Sequence, residues 1–206
     1  MSKNFASPVI LSGRLVRLEP LSLTHVPDLA EAGKDEGIWQ YMRYGQVTTP
    51  EKMRWLVGLL LEWQERGTDL PFAVILIESE RSIGATRFMD IRPHHHGVEI
   101  GGTWYATAYQ RTVVNTECKY LLLQHAFEIW HCIRVQFKTD LRNERSQRAL
   151  VRIGAMREGV FRNHMVLRDG TIRHSVYYSI LDSEWPLVKR GLEEKLRNIT
   201  LNSRVS

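Results

Sequence analysis

A run of strand-period segments gives way near residue 106 to alternating helical and strand periods, and that change constrains the fold more than any other feature. Residues 72–78 form an unbroken run dominated by apolar and β-branched side chains, which predicts a buried strand. Arg81 and Ser82 mark a turn, and residues 83–91 and 98–105 read as the next strands of a meander. Beyond it, residues 115–130 set Cys118, Leu122, Ala126 and Ile129 on one face at helical spacing. Residues 133–139 alternate Ile133, Val135 and Phe137 with polar residues, a strand pattern. Residues 143–153 read as a short helix with Ser146, Ala149, Leu150 and Ile153 on one face, stopped by Gly154. Three successive strands followed by helix–strand alternation predict an α/β chain, an α+β mixed sheet with helices on both faces. The strand at 98–105, the helix and the strand at 133–139 would form a right-handed crossover, with the two strands parallel if adjacent. Open sheets bind ligands where neighbouring strands part, so Tyr105, Thr139 and the two helix starts that follow them are the places to watch.

The flanks complete the order. Residues 14–20 read as a strand, and Ser22 or Thr24 can cap a helix through Val26, Leu29 and Ala32. Thr49-Pro50-Glu51 opens another helix, carrying Met53, Leu56, Val57, Leu60, Leu61 and Trp63 and ending near Gly67. Residues 162–181 read as a hairpin about Asp169-Gly170, with Ile172, Val176, Tyr178 and Ile180 on one face. Residues 183–196 predict an amphipathic helix, followed by a frayed tail. With 206 residues, the expected division is one domain over 10–182 and a C-terminal helix and tail over 183–206. The longest purely apolar run is residues 72–77, far short of the roughly 20 residues that span a bilayer. Residues 1–11 lack the apolar core of a secretory signal. Cys118 and Cys132 read as reduced core residues without a base partner or a zinc spacing. A cytoplasmic protein with no membrane role and no metal is expected.

Charge is concentrated. The chain carries +5, and residues 134–173 hold ten Lys or Arg against Asp140, Glu144, Glu158 and Asp169, a local +6. Such a zone suits a nucleic acid, a phosphorylated cofactor, an acidic partner or simply a solvated face. No recognition helix or aromatic stacking motif accompanies it, which argues against nucleic acid as the main ligand. Gln110-Arg111-Thr112-Val113-Val114-Asn115-Thr116 runs from a loop into a helix, whose first turn offers free N–H groups to a pyrophosphate. The segment lacks glycine and is neither a P-loop nor a dinucleotide fingerprint. Asn143 is a good N-cap for the next helix, and Ser146 sits one turn in, where a surface hydroxyl is the ordinary outcome. Glu99 lies within a strand, in Val98-Glu99-Ile100-Gly101-Gly102, and is expected at an exposed alternate position; the competing possibility is a cleft carboxylate. Gly101-Gly102 suggests a bulge or a close ligand. His94-His95-His96 reads as a solvated turn.

Together these segments resemble the GNAT N-acetyltransferase superfamily, and within it the branch of the ribosomal-protein N-terminal acetyltransferases. Residues 14–21 are similar to the opening strand, Val98-Glu99-Ile100-Gly101 to the fourth strand, and residues 110–119 to the cofactor loop and its helix. Asn143-Glu144-Arg145-Ser146, Gly154-Ala155, Glu158-Gly159 and Tyr177-Tyr178-Ser179-Ile180 resemble the remaining signature. The resemblance implies a mostly antiparallel sheet whose central parallel strands, the fourth and fifth, splay apart around acetyl-CoA. It implies that backbone N–H groups of Thr112, Val113, Val114, Asn115 and Thr116 take the pyrophosphate, beside Gln110. Trp104 and Tyr105 would line the pantetheine, faced by Asn143 and Ser146. Glu99 would be the base, the bulged strand after Gly101 would bind the oxyanion, and Ser146 would serve the departing thiolate. The acceptor would be a primary amine, a protein N-terminal α-amine first, with a small-molecule amine or a non-catalytic acyl-CoA-binding role as alternatives, and a homodimer is compatible. Its pocket would draw on residues 39–44 and the final hairpin, although Trp39, Tyr41 and Tyr44 are equally suited to core packing. The family loop usually has Gly where Arg111 and Val113 stand. Many members carry a Tyr one turn beyond Ser146, where this chain has Leu150.

Overall fold

The computed structural model describes residues 7–167 and 169–202. The apolar run becomes β3 (Leu70–Leu76), buried over all but its last residue. It does not alternate because both faces of the sheet are covered. Leu70, Phe72 and Val74 enter one core, and Ala73 and Ile75 enter another. β2 (Val16–Pro20) and β4 (Arg81–Arg92) flank β3 antiparallel, and β5 (Gly97–Tyr105) extends the meander. β6 (Arg134–Asp140) joins β5 in parallel, the sole parallel pair among the described residues. β8 (Ile172–Leu181) and β7 (Met156–Val166) close that side, and a short β1 (Leu11–Ser12) pairs outside β2. The sheet order is β1-β2-β3-β4-β5-β6-β8-β7.

Helices cover both faces, as the alternation predicts. α1 (Val26–Ala32) and α2 (Pro50–Glu65) build the second core with Trp39, Ala85 and Trp104. Thr49 caps α2 by accepting from the Lys52 N–H at 3.3 Å. α3 (Val114–Gln124) and α5 (Trp185–Asn202) pack over the first core, and α4 (Glu144–Arg152) adds Leu150 to it. No helix among the described residues is long and apolar enough to cross a membrane. Residues 203–206, the end of the expected tail, lie outside the described residues.

One helix departs from expectation. The pattern at 115–130 predicts a single α-helix with Ile129 facing inward, yet Ile129 is 55% exposed. Residues His125–Ile129 form a π turn instead, with the Trp130 N–H donating to the His125 carbonyl at 3.0 Å. The extra residue in that turn advances the helical phase, so Trp130 takes the inward place, 4.4 Å from the Phe88 ring.

The feature that creates the site lies between β5 and β6. They pair only at Gly97–Arg134, Val98–Val135 and Glu99–Gln136, and then part. β5 slips register against β4 where Ala85 faces Trp104 and Arg87 faces Gly101, so β5 holds an extra residue there. Gly102 at this bulge has φ +57, a conformation that favours glycine. A bulge bends its strand, and this one accompanies the turn of β5 away from β6.

Candidate active site

The wedge between β5 and β6 opens into a cavity of about 760 Å³. Of the residues expected at the site, Glu99, Trp104, Tyr105, Gln110, Asn115, Asn143 and Ser146 line it. The side chains of Thr112, Val113, Val114 and Thr116 do not line it, and Val114 and Thr116 are buried. What the loop offers is backbone. Among the described residues, the N–H groups of Thr112, Val113, Asn115 and Thr116 have no protein acceptor, while that of Val114 is engaged by Thr112 Oγ1 at 3.3 Å. The Thr112 hydroxyl in turn donates to the Tyr109 carbonyl at 2.7 Å, which holds the loop in shape. Arg111 has φ +63, so this non-glycine residue adopts the left-handed conformation at a position where the resemblance leads Gly to be expected.

Glu99 is not at an exposed position: it is 2% exposed. The alternate face of β5 meets the α1–α2 side of the sheet and the cavity, not water. Its Oε2 accepts from Gln136 Nε2 at 3.0 Å and lies 3.2 Å from Lys138 Nζ. Gln110 donates to the Tyr105 carbonyl at 3.1 Å and accepts from Arg145 Nη1 at 2.6 Å, tying the end of β5 to α4 across the mouth. Asn143 caps α4 by accepting from the Ser146 N–H at 3.0 Å. The Tyr105 hydroxyl donates to Asn115 Oδ1 at 3.3 Å, and burial raises its pKa well above the usual phenol value. Burial also pushes the Cys118 thiol up to about 12 and the Cys132 thiol up to about 11, so both stay protonated at neutral pH. His94, His95 and His96 are exposed. Leu150 lines the cavity one turn beyond Ser146.

The residues suggested for the acceptor pocket divide. Trp39 belongs to the core, its Nε1 donating to the Gly33 carbonyl at 2.7 Å, whereas Tyr41, Met42, Arg43 and Tyr44 line the cavity with Met165 and Arg173 of the final hairpin. Lys138 and Lys119 are among the lining residues that escaped sequence reasoning. Lys138 sits on a strand where a lysine normally reaches water. Lys119 stands one turn after Asn115, on the same face of α3, and that spacing was the available signal. Lys119 is 4% exposed, its Nζ donates to Thr103 Oγ1 at 2.7 Å, and burial brings its pKa down to about 8.

The sheet parts along its parallel pair, with unengaged N–H groups at the next helix start and the Glu99 carboxylate lining the wedge. The chain belongs to the GNAT acetyltransferase family: a family model described as "Acetyltransferase (GNAT) domain" matches residues 15–156. A crystal structure from T. thermophilus, described as an acetyltransferase, is similar at 40% identity and a TM-score of 0.85, covering 93% of this chain and 99% of that one. A GCN5-related N-acetyltransferase from Brucella melitensis is similar at 30% identity and a TM-score of 0.86, covering 91% and 85% of the two chains. Mycobacterium smegmatis RimJ in complex with CoA-disulfide shares the fold, at 18% identity and a TM-score of 0.77 over 96% and 98% of the chains. No curated protein matches the chain.

Proposed function

We propose that the chain transfers the acetyl group of acetyl-CoA directly to a primary amine in one ternary complex, with a protein N-terminal α-amine as the acceptor. The observation that carries this is the buried Glu99 carboxylate, which lines the wedge beside Lys138. A protonated amine cannot attack a thioester, so a base must take its proton, and Glu99 is that base. The unengaged N–H groups at the start of α3 hold the diphosphate, aided by the positive end of the helix. Trp104 and Tyr105 flank the pantetheine on one side, and Asn143 and Ser146 flank it on the other. The N–H groups of the bulged strand after Gly101 stabilise the oxyanion. Ser146 donates a hydrogen bond or proton to the departing thiolate, whose pKa in solution is about 8.5. Holding amine and thioester together supplies most of the rate gain. The RimJ structure, solved with CoA-disulfide, supports a coenzyme A ligand for this fold. Residues 10–182 hold the reaction, and α5 buttresses α3 through Tyr120–Glu193 and the π turn through Lys189–Glu128. A second reading, acyl-CoA binding without catalysis, draws on Leu150, which offers no hydroxyl where many relatives have Tyr.

The test is thiol release from acetyl-CoA with peptides, polyamines and aminoacyl compounds, the products identified by mass spectrometry. Acetylated peptide N-termini are expected. Release with small amines alone transfers the proposal to them, and coenzyme A binding without release to any amine favours the non-catalytic role. Glu99→Gln should lower kcat by roughly 10²–10⁴-fold at neutral pH with the acetyl-CoA Kd unchanged. A pH–rate curve like that of the wild type removes Glu99 as the base.

A further inference from the structure

The acceptor end of the cavity holds more positive charge than its own carboxylates answer. Arg43, Arg87, Lys138 and Arg173 line it. Lys138 pairs with Glu99, and Arg87 Nε lies 3.0 Å from Asp69 Oδ2. Asp140, which also lines the cavity, is held by Arg142, whose N–H, Nε and Nη2 reach it at 2.9, 3.0 and 2.8 Å. That leaves Arg43 and Arg173, for which no carboxylate oxygen lies within 4.0 Å among the described residues. Arg173 is 7% exposed, and its Nε donates to Ser175 Oγ at 3.0 Å. Burial lowers its pKa, Asp140 and Glu99 act in the opposite sense, and Arg43 lowers it further; all four residues line the same cavity. Arg87 is also buried, and its Nη1 has no hydrogen-bond partner. Arg43 and Arg87 lie over the Trp63 ring at 5.4 and 4.9 Å, which fixes the two guanidinium groups on one wall.

A buried guanidinium with no carboxylate in contact is costly, and a planar fork of donors suits a carboxylate. We infer that the acceptor amine carries a carboxylate within a few bonds of the reacting nitrogen, bound by Arg173 and Arg43 while Glu99 faces the amine. This rests on the proposed acetyl transfer to an amine. The carboxylate can belong to a free amino acid or to an acidic first residue of a peptide; polyamines and basic N-termini are disfavoured by the same charges.

The test compares acceptors that differ only in that charge: alanine against alaninamide, and the peptide amides Asp-Ala-Ala and Asn-Ala-Ala. Coenzyme A release is followed with each. At least one acid should exceed its amide about tenfold in kcat/KM, the scale of one charged hydrogen-bonded contact. The pair that shows the preference identifies the source of the carboxylate. Arg173→Gln should abolish the preference through KM with the acetyl-CoA Kd unchanged, and Arg173→Lys should restore part of it. Arg43→Gln, at an exposed position, gives an independent reading should Arg173→Gln fail to fold. Equal kcat/KM for acid and amide in both pairs, or a preference that survives both glutamine variants, overturns the inference. If no amine releases coenzyme A, the transferase reading fails instead. The acid and amide are then compared by calorimetry on the coenzyme A-loaded protein, where equal binding sinks the carboxylate site as well.

Discussion

Glu99 and Lys119 show how a single residue can escape a reading by pattern. Each is charged and sits in a regular element, so each is expected in water. Both are buried because the sheet is covered on both faces and α3 lies over the wedge. Lys119 makes a stability prediction whose sign follows from its pKa. The folded protein holds its proton with a pKa of about 8, against 10.5 ordinarily, so the unfolded chain binds that proton more tightly. Wild-type stability should therefore rise as pH climbs from about 8 to 10.5, and below 8 the full penalty is present. Lys119→Met keeps the stem and removes the charge. It should stabilise the ligand-free protein at pH 7 by about 1–3 kcal/mol, and by little near pH 10.5. Thermal melts of both proteins at the two pH values decide the matter; a lower Tm for the variant at pH 7 would show that the cation is well accommodated where it lies.

At the scale of elements, the caps and stops were legible because they depend on neighbours in sequence. Thr49, Asn143 and Gly154 act where local chemistry puts them. The join between α3 and β2 was not legible, since its partners are about a hundred residues apart. The Glu117 carboxylate accepts from the N–H groups of Arg14, Leu15 and Val16 at 2.9, 2.8 and 2.8 Å, pinning the entrance of β2 against the helix. Removing it leaves three donors in this partly buried join without an acceptor, the buried Val16 N–H among them. Glu117→Ala should destabilise the protein by about 3 kcal/mol, read as a lower urea midpoint. Glu117→Gln, which keeps one acceptor oxygen, should lose less. An Ala variant as stable as wild type would mean that water replaces the carboxylate. The π turn was hidden for a related reason: the widening of one turn is favoured by Trp130 meeting Phe88, a contact made across the core.

Across the whole molecule, the cationic zone between 134 and 173 resolves into separate duties. Arg134 pairs with Glu158, Arg142 with Asp140 and Arg148 with Glu144. Arg145, in the first turn of α4, lines the cavity with Arg111 and with Arg152 from the other end of that helix, and Arg173 lines it from β8. A polyanionic coenzyme held at the first group should feel the ionic atmosphere. Raising salt from about 0.05 to 0.5 M should weaken coenzyme A binding roughly tenfold by calorimetry, because the screening length falls below the spacing of these charges. An affinity independent of salt would assign these arginines to solvent.

The amino-acid sequence by itself determined the kinds of element, their order and most of their ends, because periodicity, capping and turn chemistry act between residues close along the chain. It also carried enough ordered signature to indicate the family. The tertiary structure alone decided where β5 leaves β6, which carboxylates are already paired, and which arginines are left facing the cavity. Those outcomes depend on desolvation and Coulomb interactions among groups from β4, β5, β6, β8 and residues 41–44, and such energies exist only once the sheet has brought them together.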